Sequence, residues 1–174
     1  MIKRYGLALL MVMSRFVCAE SVVANASALE DYCNAKGGKV TLMKPAHAAE
    51  TNVSTKFCTF YRDNGYIVIG LSAFASPNPS IAATYMKRLS ELKEDSPLMQ
   101  PGPGNPSYTV CQHLGGIATS YHVSASLNGE SDICVFGDGS MVSAWSLIYM
   151  ANHRKGYDEV KANVRSQPLD MPVP

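Results

Sequence analysis

The chain of 174 residues is long enough for one mid-sized domain or two small ones. Hydrophobic residues make up 47% of it and charged residues 17%, a composition that supplies a core and excludes a disordered protein. The formal net charge of +1 provides no overall positive field for phosphate backbones, so nucleic acid is not an expected partner.

The first nineteen residues predict an export signal. Lys3 and Arg4 precede the apolar block of residues 6–13, which has the length of a signal-peptide core and is too short to cross a bilayer. The small side chain of Ala19 favours cleavage directly after it, so residues 1–19 would be removed and the mature chain would begin at Glu20. We therefore expect an exported protein, in the periplasm or on the periplasmic face of the outer membrane, with no transmembrane helix in the mature chain.

A lipid anchor on Cys18 is the alternative to a freely released protein. Bacterial lipoprotein signals usually carry Leu three residues before the lipidated cysteine and a small residue directly before it, whereas this chain has Arg15 and Val17 at those places. One acyl chain would attach the protein reversibly to a membrane. The residues at these positions favour cleavage without lipidation.

The cysteines of the mature chain predict two disulfides. An even number of cysteines in an exported protein indicates disulfide bonds, and four of them allow three pairings. The first and second cysteines lie 25 residues apart and the third and fourth 23, which favours one bond within each half of the chain. The predicted pairs are Cys33 with Cys58 and Cys111 with Cys134.

The two halves around these cysteines repeat the same local pattern. A Gly-Gly pair follows the first cysteine of each half at the same offset, and an Asp-Gly or Asp-Asn-Gly turn follows the second. This indicates a tandem duplication with a period of about 78 residues, too long for a solenoid unit and suited to two small domains. The repeated positions are Gly37-Gly38 with Gly115-Gly116, and Asp63-Asn64-Gly65 with Asp138-Gly139.

Each half is predicted to fold as a helix followed by three strands. Ser27 and Asn105 are candidate N-caps, and the Gly-Gly pairs would end the helices. Residues 39–44 and 117–123 then read as strands. The predicted fold class is α+β: two tandem small units, each an N-terminal helix packed on a short antiparallel sheet and held by one disulfide.

The predicted units have boundaries set by composition. The first repeat spans residues 20–77, and the second, with a C-terminal helical extension, spans residues 105–165. Residues 78–104 between them contain a helix followed by a run rich in proline and glycine, which is typical of a linker. Residues 166–174 read as an exposed flexible tail.

The connecting helix and the C-terminal extension carry the candidate partner-binding side chains. Four apolar residues fall one per turn along one face of the connecting helix, and two tyrosines lie in the C-terminal stretch. These side chains would either pack against the chain's own domains or dock a protein partner. They are Ile81, Tyr85, Leu89, Leu92, Tyr149 and Tyr157.

The second half resembles a known bacterial domain. The combination of Asn105-Pro106, Cys111, Gly115-Gly116, and residues 134–145 is similar to the DUF333 domain family, which often carries a haemolysin label. The first half is a looser match, with Ala73-Phe74 where a tryptophan would be expected. The resemblance implies an exported, envelope-associated bacterial protein and implies no chemistry. A pore-former would need long amphipathic hairpins or helices, which the sequence lacks.

No catalytic, cofactor or metal site is predicted. The four histidines, His47, His113, His122 and His153, match no standard zinc spacing. The expected function is that of a non-catalytic structural subunit, with protein partners, in a cell-envelope assembly. A type IV secretion system is one candidate for that assembly. Two alternatives stay open: a secreted binding module or inhibitor of a soluble partner, and a hydrolase with an unrecognised site around His113, His122 and Ser140.

Overall fold

The computed structural model describes residues 17–46, 54–63, 65–93, 95–99, 105–123 and 131–174. Two halves of the chain have the same order of elements. The first half consists of α1 (Val17–Ala35), β1 (Lys39–Pro45), β2 (Thr55–Arg62), β3 (Gly65–Gly70), α2 (Leu71–Ala75) and α3 (Ile81–Arg88). The second consists of α4 (Pro106–His113), β4 (Ile117–Val123), β5 (Ser131–Val135), β6 (Met141–Ser143), α5 (Ala144–Ala151) and α6 (Tyr157–Ala162).

Helix ends follow local sequence signals in the second half more closely than in the first. The Asn105 side chain caps α4 by accepting a hydrogen bond from the Ser107 amide, as its position before proline predicts. Ser27, in contrast, lies inside α1 and does not cap it, because that helix already begins at Val17. Gly37 and Gly115 end α1 and α4 in the left-handed conformation, each with a φ of 76°.

The six strands close into one antiparallel barrel in the order β1-β2-β3-β6-β5-β4. The prediction of two tandem helix-on-sheet units is therefore wrong. Each half does supply a three-stranded meander, but its outer strands pair with those of the other half, β1 with β4 and β3 with β6. Two separate sheets would leave unpaired backbone groups along their edge strands, and closure removes those edges.

The strand pairs that join the halves are arranged symmetrically. Met43 pairs with Val123 and Pro45 pairs with Tyr121, with Lys44 opposite His122 between them. Residues about 78 positions apart are equivalent in the repeat, so Met43 corresponds to Tyr121 and Pro45 to Val123. The first two pairs are therefore equivalent to each other. The barrel thus has an approximate two-fold axis through the pair formed by Lys44 and His122.

Two hydrophobic clusters stabilise this arrangement. One lies inside the barrel and consists of Met43, Phe57, Val68, Tyr121 and Ile133. The larger one lies between the outer face of the barrel and the helices, and it includes all four disulfide cysteines. Because successive strand residues point to opposite faces, each half contributes to both clusters.

The helices after the first meander tie the halves together. Ser80 caps α3, which ends at Arg88, so Leu89 and Leu92 follow the helix instead of continuing it. Gly156, at a φ of 85°, directly precedes α6. Beyond α6, the hydroxyl of the fully buried Ser166 lies 3.0 Å from that of Ser80, so the first residues of the predicted tail pack against the start of α3. Among the described helices, none is both long and apolar enough to cross a membrane.

Candidate functional site

The two predicted disulfides are present and fully buried. Cys33 is bonded to Cys58 and Cys111 to Cys134, with S–S distances of 2.01 and 2.03 Å. All four cysteines have an exposure of 0%. The pairing inferred from spacing is confirmed, and each bond ties the helix of its half to the middle strand of the meander.

The turn after β5 holds the start of α3. The Ile81 amide donates to Asp138 Oδ2 at 2.8 Å, and the Ala82 amide donates to Ser140 Oγ at 2.9 Å. Ser140 Oγ in turn donates to Asp138 Oδ1 at 2.6 Å. The turn thus satisfies amides at the first turn of α3, which have no partner within the helix.

The protonation of Asp138 follows from these bonds. Burial alone raises the pKa of this carboxyl, but the hydrogen bonds from the Ser140 side chain and from the amides of Ile81 and Ser140 outweigh it and leave the pKa below its ordinary value. Asp138 therefore stays ionised as an acceptor for α3. Its role is to connect the second half of the chain to a helix of the first.

The structure does not bring the three residues of the hydrolase alternative into one hydrogen-bonded group. Ser140 exchanges hydrogen bonds with Asp138 and the Ala82 amide, while His113 ends α4 and His122 lies on β4 opposite Lys44. Among the described residues, no histidine hydrogen-bonds Ser140, and no group of three metal-ligating side chains occurs. His47 lies outside the described residues.

The candidate partner-binding residues lie largely in the chain's own core. Tyr85, Leu89, Leu92 and Tyr157 are buried, while Ile81 and Tyr149 are half-buried. The Tyr85 hydroxyl donates to the Leu114 carbonyl at 3.0 Å. Most of these side chains therefore pack against the chain's own core, and of the six, Ile81 and Tyr149 keep part of their surface accessible.

The C-terminal helices form a stacked aromatic cluster. The Arg154 guanidinium lies 4.2 Å from the ring centroid of Tyr149, which stacks on Trp145 at 5.6 Å and meets Tyr157 edge-on at 5.4 Å. Burial raises the pKa of Tyr157, although the nearby Arg154 charge opposes that rise. The cluster fixes the approach of α6 to α5.

One end of the barrel contains a polar group that the sequence did not single out. The Tyr66 hydroxyl is buried and has no hydrogen-bond partner within the part of the chain that the structure describes. Burial raises its pKa to about 12; the neighbouring Tyr61 adds to that rise, and Thr59 and Thr41 oppose it. The ring of Tyr61 covers Tyr66 at a centroid distance of 4.6 Å. Tyr61 and Tyr66 pair directly across the turn between β2 and β3, so the predicted Asp63-Asn64-Gly65 turn is the local signal that could have placed them side by side.

A second feature missed by the sequence analysis is an open cleft between α3 and the C-terminal helices. It has a volume of about 460 Å³ and is lined by Lys87, His153, Asp158, Lys161 and Ala162. These residues come from segments more than sixty positions apart. Charged residues on a helix usually face solvent, so the sequence alone indicates only a solvent-exposed position for Lys87, Asp158 and Lys161.

No family model, curated protein or solved structure matches this chain. The resemblance to DUF333 domains therefore stays a prediction based on the repeated Cys, Gly-Gly and Asp-Gly positions.

Proposed function

We propose that this protein is an exported, non-catalytic structural subunit of a bacterial cell-envelope assembly, such as a type IV secretion system. The observation that carries the proposal is that the residue types suited to chemistry hold the fold together. Ser140 and Asp138 link the second half to α3, and the four cysteines form buried disulfides. The chain thereby presents a fixed scaffold to its surroundings.

The disulfides also support the location. Two disulfide bonds are compatible with an extracytoplasmic protein, because thiols in the cytosol are kept reduced. The predicted signal at residues 1–19 and the resemblance to an envelope-associated family agree with such a location. Disulfides that close loops of this size add roughly 3 kcal/mol each, which would stabilise a structural subunit in that compartment.

Contacts with partners would use surfaces outside the core. Three large apolar side chains of the described residues are exposed: Leu42 at 49%, Tyr61 at 71% and Ile117 at 71%. Aromatic side chains are enriched in protein interfaces, and the fully buried centre of an interface is more apolar than the rest of the surface. They are therefore the positions at which a neighbouring subunit is best sought.

Photo-crosslinking tests the proposal. We would replace Leu42, Tyr61 or Ile117 by p-benzoylphenylalanine, irradiate intact cells and identify crosslinked proteins in the envelope fraction by mass spectrometry. The same replacement at Lys155, an exposed polar position, serves as the matched control. We expect envelope proteins to be captured from at least one of the three apolar positions and not from Lys155.

Two results would contradict the proposal. Capture of a single soluble protein would favour the binding module or inhibitor, and a hydrolytic activity lost in the His113→Ala and His122→Ala variants would favour an enzyme. The Ser140→Ala variant is less informative, because it also removes a cap from α3. The same mass spectra report whether the mature chain begins at Glu20 or carries a lipid on Cys18.

A further inference from the structure

The cleft between α3 and the C-terminal helices carries an excess of positive charge. Two lysines and a histidine line it with one carboxylate, and that carboxylate is engaged: His153 Nδ1 lies 3.0 Å from Asp158 Oδ1. Among the described residues, neither Lys87 nor Lys161 forms an ion pair. The cleft therefore concentrates charge in a protein whose overall net charge is only +1.

The position of Lys87 disfavours the charged form of its amine. Its Nζ donates to the Ser166 carbonyl at 2.7 Å, and partial burial lowers the pKa of this amine. A neutral carbonyl satisfies one of the three donors of an ammonium group and none of its charge. A charged group that has lost part of its hydration gains more from an anion than a fully solvated one does.

His153 supplies a second, independent observation. It is the one residue other than glycine with a positive φ, 50°, among the described residues. It lies just after the end of α5, in the left-handed conformation that glycine usually adopts at a helix end. Its Nδ1 is held by Asp158, which orients the ring, and Nε2 has no hydrogen-bond partner within the described part of the chain.

The cations of the cleft are compatible with a phosphate ligand. The two-pronged guanidinium of arginine pairs with carboxylate and with phosphate alike, whereas the ammonium of lysine is a point charge that also binds phosphate. The nearby arginines are used elsewhere, Arg88 in a hydrogen bond to the Leu169 carbonyl and Arg154 in stacking on Tyr149. Two ammonium groups on separate segments, with the doubly protonated form of His153 as a third donor, suit a tetrahedral anion that offers several oxygens.

We propose that this cleft binds a phosphate group, with Lys87 and Lys161 as its donors, joined by His153 Nε2 when the imidazole carries both protons. The phosphate belongs either to a small soluble compound or to a phospholipid headgroup. Because Lys87 comes from the first half of the chain and the other donors from the C-terminal helices, only the closed fold assembles the site. The proposal does not depend on the structural role proposed above.

The test is an NMR titration of the full mature protein with inorganic phosphate at constant ionic strength. We expect saturable shifts at the amides of His153, Lys161 and Ala162. The Lys161→Gln variant should bind phosphate about five-fold more weakly, because one of the two lysine charges of the cleft is lost. Lys155→Gln removes the same charge at an exposed position outside the cleft and should change the affinity less than about two-fold, as expected for a screened surface charge.

Co-sedimentation with vesicles identifies the source of the phosphate. The vesicles contain phosphatidylcholine with about 30% of anionic phosphatidylglycerol, which supplies headgroup phosphate and a surface potential. Vesicle binding that Lys161→Gln reduces and Lys155→Gln preserves indicates a lipid headgroup. Phosphate binding without vesicle binding indicates a soluble compound. The proposal is overturned if phosphate produces no saturable shift at the cleft, or if the two glutamine variants behave alike while their spectra show an intact fold.

Discussion

Gly116 offers a sharp test of how the disulfides are packed. A Cβ at this position would lie 2.4 Å from Cys134 Sγ, 2.9 Å from Cys111 Sγ and 3.1 Å from the ring of Phe136. All three neighbours are buried, and the two sulfurs are held by their own bond. The backbone of Gly116 has no positive φ, so the substitution Gly116→Ala introduces a steric conflict and no backbone strain.

The magnitude follows from overpacking in a rigid core. Inserting a methyl group where neighbours cannot move typically costs 1–3 kcal/mol, and contacts this short place Gly116→Ala near about 2.5 kcal/mol. With a urea dependence of about 2 kcal/mol per molar, that loss lowers the unfolding midpoint by roughly 1.2 M. Gly137→Ala is the matched control, because a Cβ there meets nothing within 4 Å, and it should change stability by less than about 0.5 kcal/mol.

Urea unfolding followed by the fluorescence of Trp145, the only tryptophan, measures both variants. A thiol assay in denaturant confirms that the disulfides have formed in each. If Gly116→Ala unfolds at the same urea concentration as Gly137→Ala, the glycine does not pack against the disulfide as described, and the reasoning fails. The equivalent Gly38 would meet Cys58 Sγ at 2.6 Å, so Gly38→Ala should repeat the loss in the first half.

Three further predictions concern single groups. Tyr66→Phe removes a buried hydroxyl without a partner and should raise the free energy of unfolding in urea by about 1 kcal/mol; a loss would show that an ordered water satisfies the hydroxyl. Asp138→Asn should destabilise the protein at neutral pH, and the difference from wild type should shrink as the pH falls below 3.8, the ordinary pKa, because the folded-state pKa lies lower and the carboxylate's contribution is lost only as the pH falls through it. Urea titrations from pH 7 downward measure this, and a constant difference at all pH values would contradict it. Replacing Cys111 and Cys134 together by serine should cost about 3 kcal/mol in the same assay, and an unchanged midpoint would show that loop closure contributes nothing.

Features that depend on a few neighbouring residues were predictable. The pairing of Cys111 with Cys134, the strand at Ile117–Val123 and the left-handed Gly115 after α4 all occur where the sequence places them. Each has a local cause: a short loop, a run rich in β-branched residues, or a helix end that only glycine adopts without strain. The prediction that Ser27 caps the first helix was wrong, because a capping pattern inside a longer helix has the same sequence as one at its start.

The candidate sites were less predictable, because they depend on contacts between residues that are far apart in the sequence. An apolar stripe containing Tyr85 and Leu89 is equally typical of a core face and of a docking face, and only the position of the second half showed that both are buried. Lys87 and His153 share no motif, because the cleft that unites them arises from the packing of α3 beside the C-terminal helices.

The amino-acid sequence by itself determined the repeated half, with its helix, three strands and disulfide, since these depend on interactions among neighbouring residues. Whether two such halves stay separate or combine was decided only in the tertiary structure. Backbone groups at the edges of β1, β3, β4 and β6 can pair with any suitably placed strand, and side-chain patterns do not encode which one. Burial of both hydrophobic clusters and mutual pairing of the edge strands favour the closed barrel. In the closed fold α3 lies beside the C-terminal helices, and together they line the cleft.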